Sequence, residues 1–176
     1  MTDISAALNN KRDNSEQFHA FTQEIASDIA TQFKCYYEIE RWMNYTYSNK
    51  ITLRFNNNRP CKTKRETYDR QLYVMLSAMG PFFTFINYVL TEEKYLCFSK
   101  DNKSFYRTRG VWIFAENDSL PKEIHDCTRT ITEMLEKKNL RLLDDEQLLE
   151  QIAEGHYTDL DGIPATVFQV LFGELV

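Results

Sequence analysis

A chain of 176 residues with 43% hydrophobic and 27% charged side chains has ordinary globular composition, and its length favours a single domain. Five glycines and four prolines are too few for a fibrous or low-complexity chain, and no run approaches the roughly 18 consecutive apolar residues of a membrane-spanning helix. A net charge of −5 and a pI near 5.3 argue against general polyanion binding by the chain as a whole.

Residues 1–14 are polar and are expected to be frayed, leaving 15–176 as one globular domain. MTDISAALNNKRDNS has no basic segment followed by an apolar run, so no secretion signal is expected there. A cytoplasmic location and four reduced cysteines follow as expectations. Ser15 is placed to cap a helix whose apolar residues Phe18, Phe21, Ile25, Ile29 and Phe33 keep the helical period. In CYYEIERWMNYTYS, Tyr37, Ile39, Met43, Tyr45 and Tyr47 alternate with polar residues, which predicts a half-buried strand broken by Ser48-Asn49. ITLRF alternates again through Ile51, Leu53 and Phe55, so 36–55 reads as a β-hairpin, followed by the polar, basic loop NNNRPCKTKR.

A helix is predicted from Glu66 to Met79, with Tyr68, Leu72, Met75, Leu76 and Met79 on one side and Gly80-Pro81 ending it. FFTFINYVL, KYLCFS and GVWIFAE read as three strands, separated by TEEK and by a loop starting KDNK. Pro121 begins a further helix with Ile124, Cys127, Ile131 and Leu135 on its apolar side. A shorter one is predicted from Asp145 to Ala153, ended by Gly155. HYTDLDGIPATV reads as a hairpin turning at Asp161-Gly162, with Pro164 on a sheet edge. In the closing TVFQVLFGELV, a last strand runs into a short helical turn before Gly173, and Val167, Phe168, Val170, Leu171, Phe172 and Leu175 dock on the core. The fold class is α+β: a mainly antiparallel sheet of about five or more strands packed by three to four helices.

Motifs that would name a chemistry are missing from the sequence. There is no Cys-x-x-Cys or His-Glu-x-x-His, and His125 and Cys127 fall on different helix faces, so no metal is expected. Asp159–Gly162 fails as a calcium loop because Val170 stands where a bidentate Glu is needed. No glycine-rich phosphate loop and no Gly-x-Ser-x-Gly elbow occur, so no cofactor and no catalytic residue is assigned. Of the three histidines, His19 and His125 lie on predicted helices as surface or packing residues, and His156, beside Tyr157 and near several carboxylates, is the one to watch. The expectation is a non-enzyme; an enzyme whose site lacks a linear motif is the remaining alternative.

Charge is unevenly spread. Lys50 to Arg70 carries seven basic and two acidic residues, and Leu140 to the end carries one basic and eight acidic residues. The basic stretch, interleaved with Phe55 and Tyr68, suits either nucleic-acid contact or a solvated loop that guards a strand. The acidic stretch suits either a hydrated surface or a docking face for a basic protein, and Asp144, Asp145, Glu146, Glu150, Glu154, Asp159 and Asp161 are its candidate partner-binding residues.

The stretch LLDDEQLLEQIAEGHYTDLDGIPATVFQVLFGE, Leu142 to Glu174, resembles the C-terminal part of small bacterial toxin-immunity proteins. The likeness lies in an acidic leucine-rich helix, a short hairpin and the closing TVFQVLF with its acidic neighbour. It implies a cytoplasmic, non-catalytic single-domain inhibitor that binds a cognate toxin. The competing expectations are a regulatory or adaptor domain and a nucleic-acid-associated protein using residues 50–70.

Overall fold

The computed structural model describes residues 4–7, 16–40, 48–56, 59–63, 65, 68–98, 104–114, 122–150 and 164–173, with backbone alone for 5, 92–96, 98 and 105–114. The elements are α1 (Ile4–Ala7), α2 (Glu16–Phe33), β1 (Tyr36–Glu40), β2 (Ser48–Asn56), β3 (Arg59–Pro60), β4 (Arg70–Ser77), β5 (Phe82–Phe98) and β6 (Ser104–Phe114). They continue with α3 (Lys122–Glu136), β7 (Arg141–Leu142), α4 (Asp145–Leu149) and α5 (Val167–Phe172). The sheet runs β1-β2-β4-β5-β6 with every neighbour antiparallel; β3 pairs with β2, and β7 adds a short parallel pairing to the start of β5. This is the α+β class predicted from the sequence.

Helices cover both faces of the sheet. On β4, Leu72, Val74 and Leu76 alternate with Tyr73 and Met75, as the two-residue period of a strand requires. The first set joins Ile51, Leu53, Phe55 and Phe83 against Ile25, Ala26 and Ile29 of α2 and Cys127, Ile131 and Leu135 of α3. Met75, on the other face, joins Phe82 and Ile86 beneath Ala7 of α1, Leu148 of α4, and Val167, Leu171 and Phe172 of α5. Lys138 ties α3 to α2 by bridging Glu24 at 2.5 Å and Asp28 at 3.2 Å. The hydrogen bond to Glu24 is the main reason its pKa is raised. Both carboxylates are largely exposed, so the clasp contributes less than about 1 kcal/mol.

Several expectations are corrected. The helix predicted from Glu66 to Met79 is the strand β4. Its residues are buried on both faces, and a strand of that kind shows no two-residue hydrophobic alternation to set it apart from a buried helix. The strands FFTFINYVL and KYLCFS are one 17-residue strand, and TEEK lies inside it. The strand expected to run to Ser48-Asn49 is described as far as Glu40, residues 41–47 lying outside the described residues; Ser48 and Asn49 themselves begin β2, with both side chains buried. Each has a distant polar partner: Ser48 Oγ donates to the Phe172 carbonyl at 3.0 Å, and Asn49 Nδ2 donates to Thr22 Oγ1 at 2.8 Å. Residues 4–7, expected to fray, form a helical turn whose Ala7 is fully buried. That turn presses so close to the β4–β5 turn that a Cβ on Gly80 would lie 3.0 Å from Ala7 Cβ and 2.9 Å from the Phe82 ring. Glycine is the residue that fits there.

Val167, Leu171 and Phe172 dock on the core as predicted, with isolated bridges at Pro164 and Thr166 rather than a strand before them; Val170 is half-buried, and Leu175 lies outside the described residues. Thr166 caps α5 reciprocally with Gln169, and Gly173, at φ 88°, ends it by donating to the Gln169 carbonyl. Phe172 is sealed, whereas Phe168 is only half-buried, its ring 5.7 Å from that of Phe172. The Asp161-Gly162 hairpin lies outside the described residues.

Candidate functional site

The acidic stretch is brought to the surface by the way the chain leaves β7. Leu143 N–H donates to the Phe83 carbonyl at 3.0 Å, and its own carbonyl accepts from Thr84 Oγ1 at 3.3 Å, so the approach to α4 is bonded to β5. Asp144 then caps α4. Its Oδ1 accepts from Gln147 N–H at 2.9 Å, and Gln147 Oε1 accepts from Asp144 N–H at 3.3 Å. Asp145 and Glu146 fall in the first turn, where the helix dipole favours them. Glu150, in an extended conformation at the C-cap, ends the helix before the Ala153 boundary predicted from sequence, and its carbonyl accepts from Val167 N–H of α5 at 3.0 Å.

This short helix has two unlike leucines. Leu148 is 7% exposed and packs in the core under α5, while Leu149 is 71% exposed. Neighbouring helical positions lie about 100° apart, so one leucine can face the sheet and the other cannot. Leu149 shares its side of the helix with Asp145 and Glu146, four and three residues before it, and precedes Glu150. Asp144, Asp145, Glu146 and Glu150 are all exposed. The structure therefore collects four of the seven candidate residues around one protruding leucine. Glu154, Asp159 and Asp161 lie outside the described residues. Of the four, Asp144 has a structural duty as the cap. Sequence reasoning passed over Leu149, although two adjacent leucines in so short a helix were the signal that one must point outward.

The basic stretch is partly neutralised within the fold. Lys50 Nζ pairs with Glu40 across the β1–β2 ladder at 2.8 Å and lies 4.5 Å from the centre of the Tyr73 ring. Arg54 pairs with Glu38 and stacks 4.4 Å from the Tyr68 ring centre. Burial, then the neighbouring Tyr88, raises the Tyr73 pKa. Arg59, Lys62 and Arg65 remain exposed.

Among the described residues no group of His, Cys, Asp or Glu is arranged to hold a metal ion, and no helix is long and apolar enough to cross a membrane. His125 is exposed and Cys127 buried on opposite sides of α3; His19 lies 3.2 Å from Asn49 Nδ2, and His156 is outside the described residues. Cys35, Cys61 and Cys127 are buried and in no disulfide, and burial pushes the Cys35 and Cys127 thiols up to about 12. Thiols so held are poor nucleophiles. No protein-family model, no curated protein and no solved structure matches the chain.

Proposed function

We propose that the chain is a protein-binding inhibitor that docks the α4 surface onto a basic partner. The resemblance of residues 142–174 to toxin-immunity proteins makes a cognate bacterial toxin domain the partner of this reading. The observation that supports it is Leu149, 71% exposed and flanked by carboxylates. An apolar anchor within a charged rim is the usual composition of a binding hot spot. Opposite fields speed encounter and select the partner, and the desolvated anchor governs dissociation.

Co-expression with the product of the adjacent gene, followed by affinity capture and a protection assay, tests the reading. Leu149→Ala is expected to weaken capture by about 2 kcal/mol, mostly through faster dissociation, as truncation of an anchor does. Asp145→Lys, Glu146→Lys and Glu150→Lys together are expected to slow association and remove protection, with Asp144 left in place so that α4 stays capped. Capture and protection equal to the parent in both variants would reduce the α4 face to hydrated surface. Failure to capture any adjacent gene product would sink the immunity reading.

A further inference from the structure

The sheet topology sends the charged segments to opposite ends of the molecule. β5 pairs with β4 as far as Val89, and from Leu90 to Phe98 it pairs, among the described residues, with β6 alone. That outer stretch is a two-stranded ribbon about 30 Å long at about 3.4 Å per residue. The connection from β2 to β4 turns at the ribbon's base: Leu90 N–H donates to the Asp69 carbonyl at 2.8 Å, and Asp69 N–H donates to the Phe55 carbonyl at 3.0 Å. Arg59, Lys62 and Arg65 are exposed on this connection.

On the ribbon, Lys94 stands opposite Thr108, Arg107 opposite Tyr95 and Arg109 opposite Glu93. Lys94 belongs to one ribbon face, Arg107 and Arg109 to the other. Beyond Glu93 neither strand carries a carboxylate, and Tyr95, Phe98, Phe105 and Tyr106 occupy the same rungs. The α4 carboxylates are anchored at the other end of the sheet, where β7 pairs with Phe82 and Phe83.

We propose that this basic end docks on duplex DNA, with the ribbon in the major groove and Arg59, Lys62 and Arg65 meeting phosphates at its base. The B-form major groove, about 12 Å wide, admits a two-stranded ribbon, whereas the deep, narrow major groove of A-form RNA does not. The net charge of −5 argues against polyanion binding by the whole surface but not by one end of it. The charges are separated along the molecule, so the field turns the ribbon toward a polyanion and the α4 face away from it. Antiparallel pairing of two β6 edges about a two-fold axis near Thr108 would set arginine against arginine, which disfavours self-association through this edge. The proposal uses the end of the molecule away from α4 and stands apart from the inhibitor reading.

Fluorescence anisotropy of a labelled DNA duplex, titrated with the full chain at several salt concentrations, tests it. Binding is expected in the micromolar range. Six neutralised phosphates at about −0.9 each give a slope of log K against log salt near about −5. Lys94→Gln, Arg107→Gln and Arg109→Gln together are expected to flatten the slope by about half, as are Arg59→Gln, Lys62→Gln and Arg65→Gln together, with circular dichroism reporting the fold of each. The titration contains no protein partner, so its failure leaves the inhibitor reading standing, and failed capture leaves this one. Absence of salt-sensitive binding by the parent overturns the proposal. So does binding that both triple variants retain, a preference for duplex RNA or single strands, or a dimer that the ribbon variant abolishes.

Discussion

Ser48 and Ser77 stand directly opposite each other on β2 and β4, both nearly sealed from solvent, and donate to the adjacent carbonyls of Phe172 and Leu171 at 3.0 and 2.8 Å. The last carbonyls of any helix lack partners within it, and here two serine hydroxyls supply them. Ser48→Ala leaves the Phe172 carbonyl buried and unsatisfied, which is expected to cost about 1–3 kcal/mol in denaturant unfolding. An unchanged midpoint would show that the bond contributes nothing. In the sequence Ser48-Asn49 looks like a strand break because the groups that bury it lie 124 and 27 residues away in the chain. The thiols allow a second test at this scale. Cys35 and Cys127 are raised from 9.0 to about 12 by burial, so the folded chain keeps protons that the unfolded chain releases above pH 9. Stability is therefore indifferent to these groups below pH 9 and falls above it, by up to about 1.4 kcal/mol per pH unit for each thiol. Unfolding measured from pH 8 to 10 should show a shallower alkaline loss in Cys35→Ala and Cys127→Ala; an identical slope would rule the thiols out as its source.

At the scale of elements, α5 contributes far more than its six residues suggest. Val167, Leu171 and Phe172 are buried over Met75, Phe82 and Ile86. Phe172→Ala is expected to cost about 3–5 kcal/mol as a large-to-small core change, and Phe168→Ala distinctly less because that ring is half-buried. Deleting residues 166–176 should leave a chain without a cooperative melt; a truncated protein that melts like the parent would overturn this. The helices α2 and α3, the β1–β2 hairpin and the docked C-terminal segment were legible in the sequence, because each shows one apolar face at its own period. β4 was not legible. Covered on both faces, it offers Leu72, Met75 and Leu76 at spacings a helix would also show. The length of β5 was hidden for the opposite reason: TEEK lies beyond Val89, the last β5 residue to pair with β4, where the strand pairs with β6 and charged residues in the sequence read as a break.

For the molecule as a whole, the α+β class and the uneven charge were both readable from the chain, but the arrangement of that charge in space was not. A count along the sequence joins Lys50 and Arg54 to Arg59, Lys62 and Arg65 as one basic run. The fold divides them, setting the first two against Glu40 and Glu38 and leaving the others exposed at the end from which the ribbon extends. The candidate docking surface was legible in its carboxylates and not in its leucine, since exposure depends on which side of α4 meets the sheet. That second core, beneath α4, also sets the order of assembly during synthesis. It is sealed by Ala7 of α1 and by Leu171 and Phe172 of α5, the first and last described helices. While translation proceeds, the face built on α2 and α3 can close, but Met75, Phe82 and Ile86 stay uncovered until α5 has left the ribosome. A nascent chain stalled shortly before that point carries a finished core on one side and an adhesive apolar surface on the other, which is the species a chaperone would have to hold.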